Sequence, residues 1–245
     1  FQGVELSICY PALVNPEILM RLTAKRHLKI TTIATGQIVG KECCTLLDAD
    51  PQKRAFAQKV LMEHIRLSEK VGRPPVTVGL LRGGRAELST DELEKQLSQS
   101  LLPCVELAEK KGVTLQIEPI QANEAPYLHT VSEGMHLIAM LGRPACLGIL
   151  YDTYHAVHAE SDMYEAILEA QGRITHVHIA DLDRGLPNGQ GIDFKKVFHV
   201  LQSEHYGGAF SLETCCKSSG MRFQQNEATG MKRVFGLKLD TEQLR

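Results

Sequence analysis

Short apolar segments alternate with longer amphipathic segments along most of the chain. The short segments carry Val, Ile and Leu at successive positions, which is typical of strands buried on both faces of a parallel sheet. They lie at residues 4–9, 29–35, 76–81, 115–119, 147–152, 174–180 and 209–213. The amphipathic segments predict helices at residues 16–24, 51–71, 90–111, 131–141, 163–170 and 194–204, and a last helix from about 222 to 237. The pattern therefore predicts a regular alternation of strand and helix.

Local signals at the ends of the predicted helices agree with this pattern. Asp50 precedes Pro51, and an acidic N-cap followed by proline at the first helical position is a common helix start. Gly72 and Gly112 follow two of the long amphipathic segments. Glycine is favoured at such positions because it adopts the left-handed conformation that ends many helices.

The alternation of strand and helix predicts an α/β fold built on a parallel sheet. A single (β/α)8 TIM-barrel domain over residues 1–245 suits both the length and the pattern. Only seven strands are predicted, and the chain opens with Phe1-Gln2-Gly3 directly before a strand, so we expect the first barrel strand to be absent from this sequence. An open doubly wound sheet is the alternative. It would call for a glycine-rich loop after its first strand, and ICYPALVN is not one.

Metal-competent side chains stand at the downstream ends of four predicted strands. They are Glu118, Asp152, His178 and Glu213. Each one alone is ordinary, because chains surface at strand ends, and His178 follows a second histidine that shares its side of the strand. Four together are unusual, since the carboxyl ends of barrel strands converge on one mouth. Three carboxylates and one imidazole suit a single Mn²⁺ or Mg²⁺ ion, with Co²⁺ or Zn²⁺ as alternatives.

Such a set of side chains suits proton transfer beside a carbonyl group. A metal that binds a hydroxyl and the adjacent carbonyl oxygen stabilises the enediolate left when a carbon loses its proton. Glu118 and Glu213, on strands far apart in the barrel order, can approach that carbon from opposite faces. Access from two faces favours epimerisation, whereas access from one face favours aldose–ketose isomerisation.

Further polar residues lie in the loops beside the predicted ligands. Glu124, His155 and Arg184 would bind substrate hydroxyls or polarise the carbonyl. In loops, however, residues such as Glu124 and Arg184 are more commonly solvated charges without a role in a site. For Arg82, at another strand tip, we expect no role in the site. The loops after the last two strands contain glycine, and residues 217–220 offer a weak phosphate cradle that leaves phosphorylated substrates open.

Composition and charge exclude several classes of function. The formal net charge is −2 with both signs interspersed, and Trp is absent, so the chain does not resemble a nucleic-acid-binding protein. No apolar run reaches the roughly 18 residues of a membrane span. We therefore expect neither nucleic acid nor membrane as a partner.

The cysteines favour a reducing compartment. There are seven, arranged partly as the adjacent pairs Cys43–Cys44 and Cys215–Cys216, and no CxxC pair occurs. Adjacent cysteines are poor disulfide partners, so we expect reduced thiols in a cytoplasmic protein. Ligation of the metal by Cys215 or Cys216 is disfavoured because oxygen ligands already fill the set.

With these residues in view, the chain resembles the xylose-isomerase-like TIM-barrel superfamily, which includes tagatose/psicose-type ketose 3-epimerases and hydroxypyruvate isomerases. The resemblance is carried by LQIEPIQANE, YDTYHA, HVHIADLDRGLPNGQGIDF and FSLET, in this order. It implies that the four strand-end residues bind a metal, that Glu118 and Glu213 also act as the acid/base pair, and that Glu124, His155 and Arg184 contact the substrate. It implies an isomerase acting on a sugar or related hydroxy-carbonyl compound, and such barrels often form homo-oligomers. CCKSSGMRFQQ and YDTYHA depart from the commoner family pattern beside the pocket, which leaves the identity of the substrate open.

Three other functions remain as alternatives. The first is a metal-dependent dehydratase acting on an inosose or a dehydroshikimate-like acid, because the same enolate chemistry serves both reactions. The second is a sugar-binding barrel without catalysis, which the presence of both acid/base carboxylates argues against. The third is phosphodiester cleavage. That reaction would need more histidine ligands than this chain offers and a basic surface, which this chain lacks.

Overall fold

Seven parallel strands form one continuous sheet in the part of the chain that the structure, a computed structural model, describes: residues 1–85, 87–187, 189 and 191–215. The strands are β1 (Gly3–Ser7), β2 (Lys29–Ala34), β3 (Val76–Val78), β4 (Leu115–Ile117), β5 (Leu147–Asp152), β6 (Ile174–Ile179) and β7 (Ala209–Leu212). Each strand pairs in parallel with the next one along the chain. This sequential order confirms the predicted TIM-barrel architecture, with a nearly closed barrel of seven described strands.

Helices connect the strands. They are α1 (Pro16–Ala24), α2 (Gln37–Glu42), α3 (Pro51–Lys70), α4 (Thr90–Lys111), α5 (Val131–Met140), α6 (Thr153–Ala159), α7 (Met163–Glu169) and α8 (Phe194–Ser203), with short 3-10 helices at Pro11–Leu13 and Leu80–Arg82. The six helices predicted before residue 205 are confirmed to within one residue at each end. The predicted helix near residues 222–237 lies outside the described residues.

Two helices and one turn were not predicted. The helices α2 and α6 are short, with six and seven residues, so neither carries a long amphipathic pattern. The strand expected at residues 76–81 ends at Val78, because the chain turns at Gly79 and enters the 3-10 helix Leu80–Arg82. The apolar pattern in the sequence extends past this turn because Leu81, in the 3-10 helix, is also buried.

The predicted helix ends are confirmed in detail. The Asp50 side chain accepts a hydrogen bond from the Gln52 backbone N–H, which caps α3 one residue before Pro51. Gly112 ends α4 in the left-handed conformation, with φ of 62°. These ends fix where α3 and α4 return the chain to the strands that follow them.

The inside of the barrel contains a buried polar layer below the carboxyl ends of the strands. The Gln116 side-chain amide donates to the hydroxyls of Thr32 (2.8 Å) and Thr77 (2.9 Å), and its oxygen accepts from the Thr175 hydroxyl (2.8 Å). These residues come from β2, β3, β4 and β6, so their hydrogen bonds tie the strands together from inside. Around the sheet, aliphatic residues such as Ile33 and Leu115 are fully buried and form the core.

Among the described residues, no helix combines the length and the apolar composition that crossing a membrane requires.

Candidate metal centre

The four side chains predicted to bind a metal meet at the mouth of the barrel. Glu118 follows β4, Asp152 ends β5, His178 lies near the end of β6, and Glu213 follows β7. One ligand atom from each lies within 4.8 Å of those of the other three. Glu118, Asp152 and His178 are buried and Glu213 is partly buried. The cluster is therefore enclosed from below and accessible from the mouth.

The geometry around His178 suits a shared cation. Its Nδ1 lies 3.6 Å from Glu118 Oε1, 3.8 Å from Asp152 Oδ2 and 3.3 Å from Glu213 Oε2. Neighbouring ligands of one cation stand at about 3 Å or slightly more when metal–ligand distances are about 2.0–2.3 Å. Within the described part of the chain, His178 Nδ1 and Asp152 Oδ2 are buried atoms without a hydrogen-bond partner. Since buried polar atoms rarely remain unsatisfied, the residues present fit a divalent cation.

Asp152 is fixed by its place at a helix start. Its Oδ1 accepts a hydrogen bond of 2.7 Å from the Tyr154 backbone N–H and so caps α6. The cap holds the carboxylate in one orientation, and the second oxygen, Oδ2, then faces His178. The short helix α6 therefore positions this candidate ligand.

Electrostatics in the cluster are dominated by the imidazole among the carboxylates. Burial alone would lower the pKa of His178, but Glu5 and Glu213 hold it well above the ordinary value. Burial would raise the pKa of Asp152, but the neighbouring imidazoles of His178 and His155 bring it below the usual range. The mouth thus stabilises positive charge at the position of His178.

The two glutamates occupy different surroundings. Burial raises the pKa of Glu213, the carboxylates of Glu118 and Asp152 raise it further, and His178 counteracts part of the rise. Glu118 packs against Gly79, where an added Cβ would lie 2.2 Å from Glu118 Oε2. The glycine that directly follows β3 therefore makes room for the Glu118 carboxylate.

The three residues predicted to contact a substrate also lie at the mouth. Arg184 Nη1 donates to both carboxylate oxygens of Glu124 at 2.8 and 2.7 Å, and Nη2 lies 3.2 Å from Glu213 Oε2. His155 Nε2 lies 3.7 Å from Asp152 Oδ2. In the described residues, Arg184 Nε and His155 Nδ1 are buried and have no hydrogen-bond partner. Each offers a polar atom to a ligand.

Sequence reasoning missed three residues at or beside the site. Glu5, on β1, lies 3.0 Å from His178 Nε2. The Tyr154 ring stacks against the Arg184 guanidinium, with 4.9 Å between the Arg184 Cζ and the ring centroid. Both could have been suspected, Glu5 as a carboxylate within an apolar strand and Tyr154 as an aromatic residue between Asp152 and His155.

The third missed residue is Arg82, which differs most from its expected surroundings. A charge at a strand tip ordinarily reaches solvent, but Arg82 is completely buried. Its guanidinium donates to the backbone carbonyls of Gly79, Glu118, Tyr127 and Leu128 at 2.7–3.1 Å. Burial lowers the pKa of Arg82 to about 10, so the group stays charged at neutral pH. Arg82 therefore holds the backbone of Glu118 and the loop after it.

Two other predictions concern the loop after β7. The phosphate cradle at residues 217–220 and Cys216 lie outside the described residues. Cys215 is exposed as a free thiol and does not belong to the candidate metal cluster.

A groove of about 530 Å³ lies against the outer helices α3 and α4, and none of the four candidate ligands lines it. Its lining includes Arg54, Arg85, Glu92 and Lys95. Arg54 donates to backbone carbonyls and Arg85 pairs with Glu87, so the structure gives these charges ordinary surface partners. We therefore place the candidate site at the mouth rather than in this groove.

Several proteins of related sequence are named as epimerases or isomerases. An L-ribulose 3-epimerase of Mesorhizobium japonicum is 30% identical over 169 residues, which cover 68% of this chain and 56% of that protein. A probable ketose 3-epimerase of Synechocystis is 28% identical over 221 residues, covering 87% of this chain and 74% of the relative. A hydroxypyruvate isomerase of Escherichia coli is 28% identical over 127 residues, covering 50% and 48%. The chain thus spans only about half the length of two of these three relatives.

Solved structures share the fold at low sequence identity. The apo form of 3-keto-D-glucoside 4-epimerase from E. coli superposes with a TM-score of 0.83 at 20% identity, covering 97% of this chain and 90% of that one. D-psicose 3-epimerase with D-tagatose from Clostridium cellulolyticum H10 superposes with a TM-score of 0.84 at 16% identity, covering 96% and 89%.

The sequence also matches a family over nearly its whole length. Residues 3–234 match the family described as xylose isomerase-like TIM barrel. Sequential parallel strands and a cluster of polar residues at their carboxyl ends agree with that match. The chain belongs to the xylose isomerase-like TIM-barrel family.

Proposed function

We propose that this protein is a divalent-metal-dependent sugar epimerase that inverts the carbon next to the carbonyl of a ketose. Glu118 and Glu213 are its acid/base pair, and together with Asp152 and His178 they hold the metal. The observation that carries the proposal is the meeting of these four side chains, with ligand atoms within 4.8 Å of one another and two buried atoms left without partners.

The placement of the two glutamates favours inversion. Glu118 follows β4 and Glu213 follows β7, three strands further along the barrel, so the carboxylates enter the mouth from different sides. One glutamate removes a proton from the carbon beside the carbonyl, and the other returns a proton to the opposite face. Burial and the neighbouring carboxylates raise the pKa of Glu213, which favours a role for this residue in carrying a proton.

The other residues at the mouth bind and orient the substrate. When bound, a divalent cation supplies Lewis-acid polarisation of the substrate oxygens. His155 Nδ1 and Arg184 Nε are the unsatisfied polar atoms available to sugar hydroxyls or the carbonyl oxygen. The Arg184 contacts to Glu124 and Glu213 connect substrate binding to one member of the acid/base pair.

The charges favour an uncharged substrate over a carboxylate or phosphate. In the part of the chain that the structure describes, the positively charged side chain that forms ion pairs at the mouth is Arg184. It already pairs with Glu124 and Glu213. The negative charge of those carboxylates, together with Glu118 and Asp152, exceeds the positive charge of Arg184 and a divalent cation, which disfavours an anion. A neutral ketose therefore suits the site better than hydroxypyruvate, and the named ketose 3-epimerase relatives support the same choice.

The test is deuterium exchange into a panel of unphosphorylated ketoses, with hydroxypyruvate included. Protein loaded with Mg²⁺ is incubated with each compound in D₂O and followed by NMR. We expect deuterium at C3 and the appearance of the C3 epimer. The Glu118→Gln and Glu213→Gln variants should each lose conversion while keeping the fold.

The alternatives give different signals in the same experiment. Deuterium at C1 with appearance of an aldose would identify an isomerase, and loss of water with an enone signal would identify a dehydratase. Binding of a sugar without exchange would identify a non-catalytic barrel. Any of these three results would refute the epimerase proposal.

A further inference from the structure

A carboxylate lies behind the metal cluster, on the opposite side of the His178 ring. Glu5 Oε2 is 3.0 Å from His178 Nε2, while Nδ1 of the same ring faces Glu118, Asp152 and Glu213. The contact joins residues 173 positions apart, and β1 and β6 are not neighbours in the sheet. Glu5 therefore reaches His178 across the inside of the barrel.

The two ring nitrogens of His178 have complementary requirements. Nδ1 can bind a cation only through a lone pair, and the ring proton of the neutral imidazole then resides on Nε2. A buried N–H needs an acceptor, and the Glu5 carboxylate is within hydrogen-bond distance of Nε2. A carboxylate in this position fixes the tautomer and rotation of the ring and makes it a stronger ligand.

We infer that Glu5 is a positioning residue for the metal centre, which accepts the Nε2–H of His178 and thereby directs Nδ1 to the cation. The inference rests on the proposed function, because it assumes that His178 binds a metal. It adds a fifth residue, from the first described strand, to a site that the sequence placed on β4 to β7.

A second arrangement uses some of the same atoms. Glu5, His176 and His178 also place three ligand atoms within 4.8 Å of one another. A cation there would use Nε2 of His178, and ligation at both nitrogens would require an imidazolate. His176 Nε2 also lies 2.8 Å from the Ser211 hydroxyl, which already provides it with a partner. The contacts therefore favour Glu5 as a hydrogen-bond acceptor rather than as a ligand of a second ion.

The test is titration of the metal-free protein with Mn²⁺, following the EPR signal of free Mn²⁺. Glu5→Leu keeps similar bulk without an acceptor, and Glu5→Gln keeps a neutral acceptor oxygen. Glu106→Gln, an exposed glutamate on α4, is the matched control for loss of one negative charge. Thermal unfolding of each metal-free variant reports whether the fold is retained.

We expect the wild type to bind one Mn²⁺ per chain. Glu5→Leu should weaken binding by about 10- to 100-fold, the usual effect of removing such a hydrogen-bond partner. Glu5→Gln should fall between Glu5→Leu and the wild type, and Glu106→Gln should match the wild type. If Glu5→Leu fails to fold, the inference is supported when Glu5→Gln binds Mn²⁺ more weakly than Glu106→Gln does.

Three results would overturn the inference while leaving the metal centre in place. The first is wild-type affinity for Mn²⁺ in Glu5→Leu, or in Glu5→Gln if only that variant folds. The second is an equal loss of Mn²⁺ affinity in Glu5→Leu and Glu5→Gln. The third is a second bound Mn²⁺ in the wild type that Glu5→Leu does not bind. Failure of the wild type to bind Mn²⁺ would instead refute the metal centre itself, and both proposals with it.

Discussion

Two buried polar clusters lie one above the other inside the barrel. They differ in whether their buried polar atoms all find hydrogen-bond partners within the cluster. Gln116 lies on β4 and Glu118 directly follows that strand, so these two residues, two positions apart, point to the same side. The amide of Gln116 makes three hydrogen bonds with threonines of three other strands. At the level of Glu118, the buried atoms Asp152 Oδ2 and His178 Nδ1 have no hydrogen-bond partner in the described structure.

The difference distinguishes a structural cluster from the candidate metal site. Unsatisfied buried polar atoms cost free energy, so a protein keeps them only where another partner occupies the position or where reactivity requires them. The lower layer needs nothing more than its own side chains. In the proposed metal centre, a bound cation would provide the missing partner for the upper cluster. Changes in the lower layer should therefore affect stability, whereas changes in the upper cluster should affect metal binding and turnover.

The largest expected effect is on turnover in the upper cluster. Glu213→Gln should lower kcat by about 10²- to 10⁴-fold, the usual contribution of a positioned acid or base. The free energy of unfolding of the metal-free protein should stay the same or rise, because one of several adjacent carboxylates is removed. Steady-state kinetics and chemical denaturation measure the two effects, with Glu106→Gln as the control. Unchanged turnover would remove Glu213 from the acid/base pair.

The next effect is on metal affinity. Asp152→Asn should weaken Mn²⁺ binding by at least about 10- to 100-fold, since loss of a charged ligand should exceed loss of a ligand's hydrogen-bond partner. Asp162→Asn is a matched control, because Asp162 caps α7 through its Oδ1 as Asp152 caps α6 but is exposed. Calorimetric titration with Mn²⁺ compares the two. Equal affinities in the two variants would contradict the assignment of Asp152 as a ligand.

In the lower layer the expected effect is on stability. Gln116→Met removes the amide and leaves a side chain of similar length, so it should reduce the free energy of unfolding by about 1–3 kcal/mol. The affinity for Mn²⁺ should remain within a few-fold of the wild type. Urea denaturation and Mn²⁺ titration of the same preparation test both statements. A variant with normal stability but weak metal binding would reverse the comparison.

The smallest effect is a pH dependence of stability. The pKa of His178 in the folded protein lies well above 6.5, its value in the absence of neighbours, so above pH 6.5 the folded state keeps a proton that the unfolded state releases. Its contribution to stability is complete below pH 6.5 and is lost as the pH rises through the raised folded pKa. The slope is at most about 1.4 kcal/mol per pH unit. Denaturation of metal-free protein from pH 6.5 to 9 measures it.

A matched variant isolates this effect. His178→Gln should lose the decline, whereas the exposed His136→Gln should retain it. Bound Mn²⁺ should reduce the decline in the wild type, because the cation binds Nδ1 after its proton leaves. Stability of the metal-free wild type that increases steadily from pH 7 to 9 would contradict the raised pKa of His178.

Much of the fold and the convergence of the four candidate ligands could be predicted, because both follow from local pattern and topology. Strand positions came from apolar runs, and parallel strands bring their carboxyl ends to one mouth, so the side chains at positions 118, 152, 178 and 213 were expected to converge. The helix α6 is an example of what pattern alone does not show. It has only seven residues and begins at the Asp152 cap.

Other features depend on contacts between distant parts of the chain. Glu5 meets His178 only because closure of the barrel brings β1 opposite β6, and no local pattern contains that contact. Arg82 can be buried because four backbone carbonyls from two loops accept hydrogen bonds from its guanidinium. Its charge, which would normally reach solvent, therefore holds these two loops together. Gly79 leaves room for the Glu118 carboxylate, a close approach that the sequence does not reveal.

A single diffraction experiment tests the central claim most directly. Crystals of the protein soaked in Mn²⁺ and measured at a wavelength where manganese scatters anomalously should show one strong peak at the mouth. We expect the peak to lie about 2.0–2.5 Å from a carboxylate oxygen of each of Glu118, Asp152 and Glu213 and from Nδ1 of His178. A peak that contacts only some of these residues, or no peak at the mouth, would contradict the account.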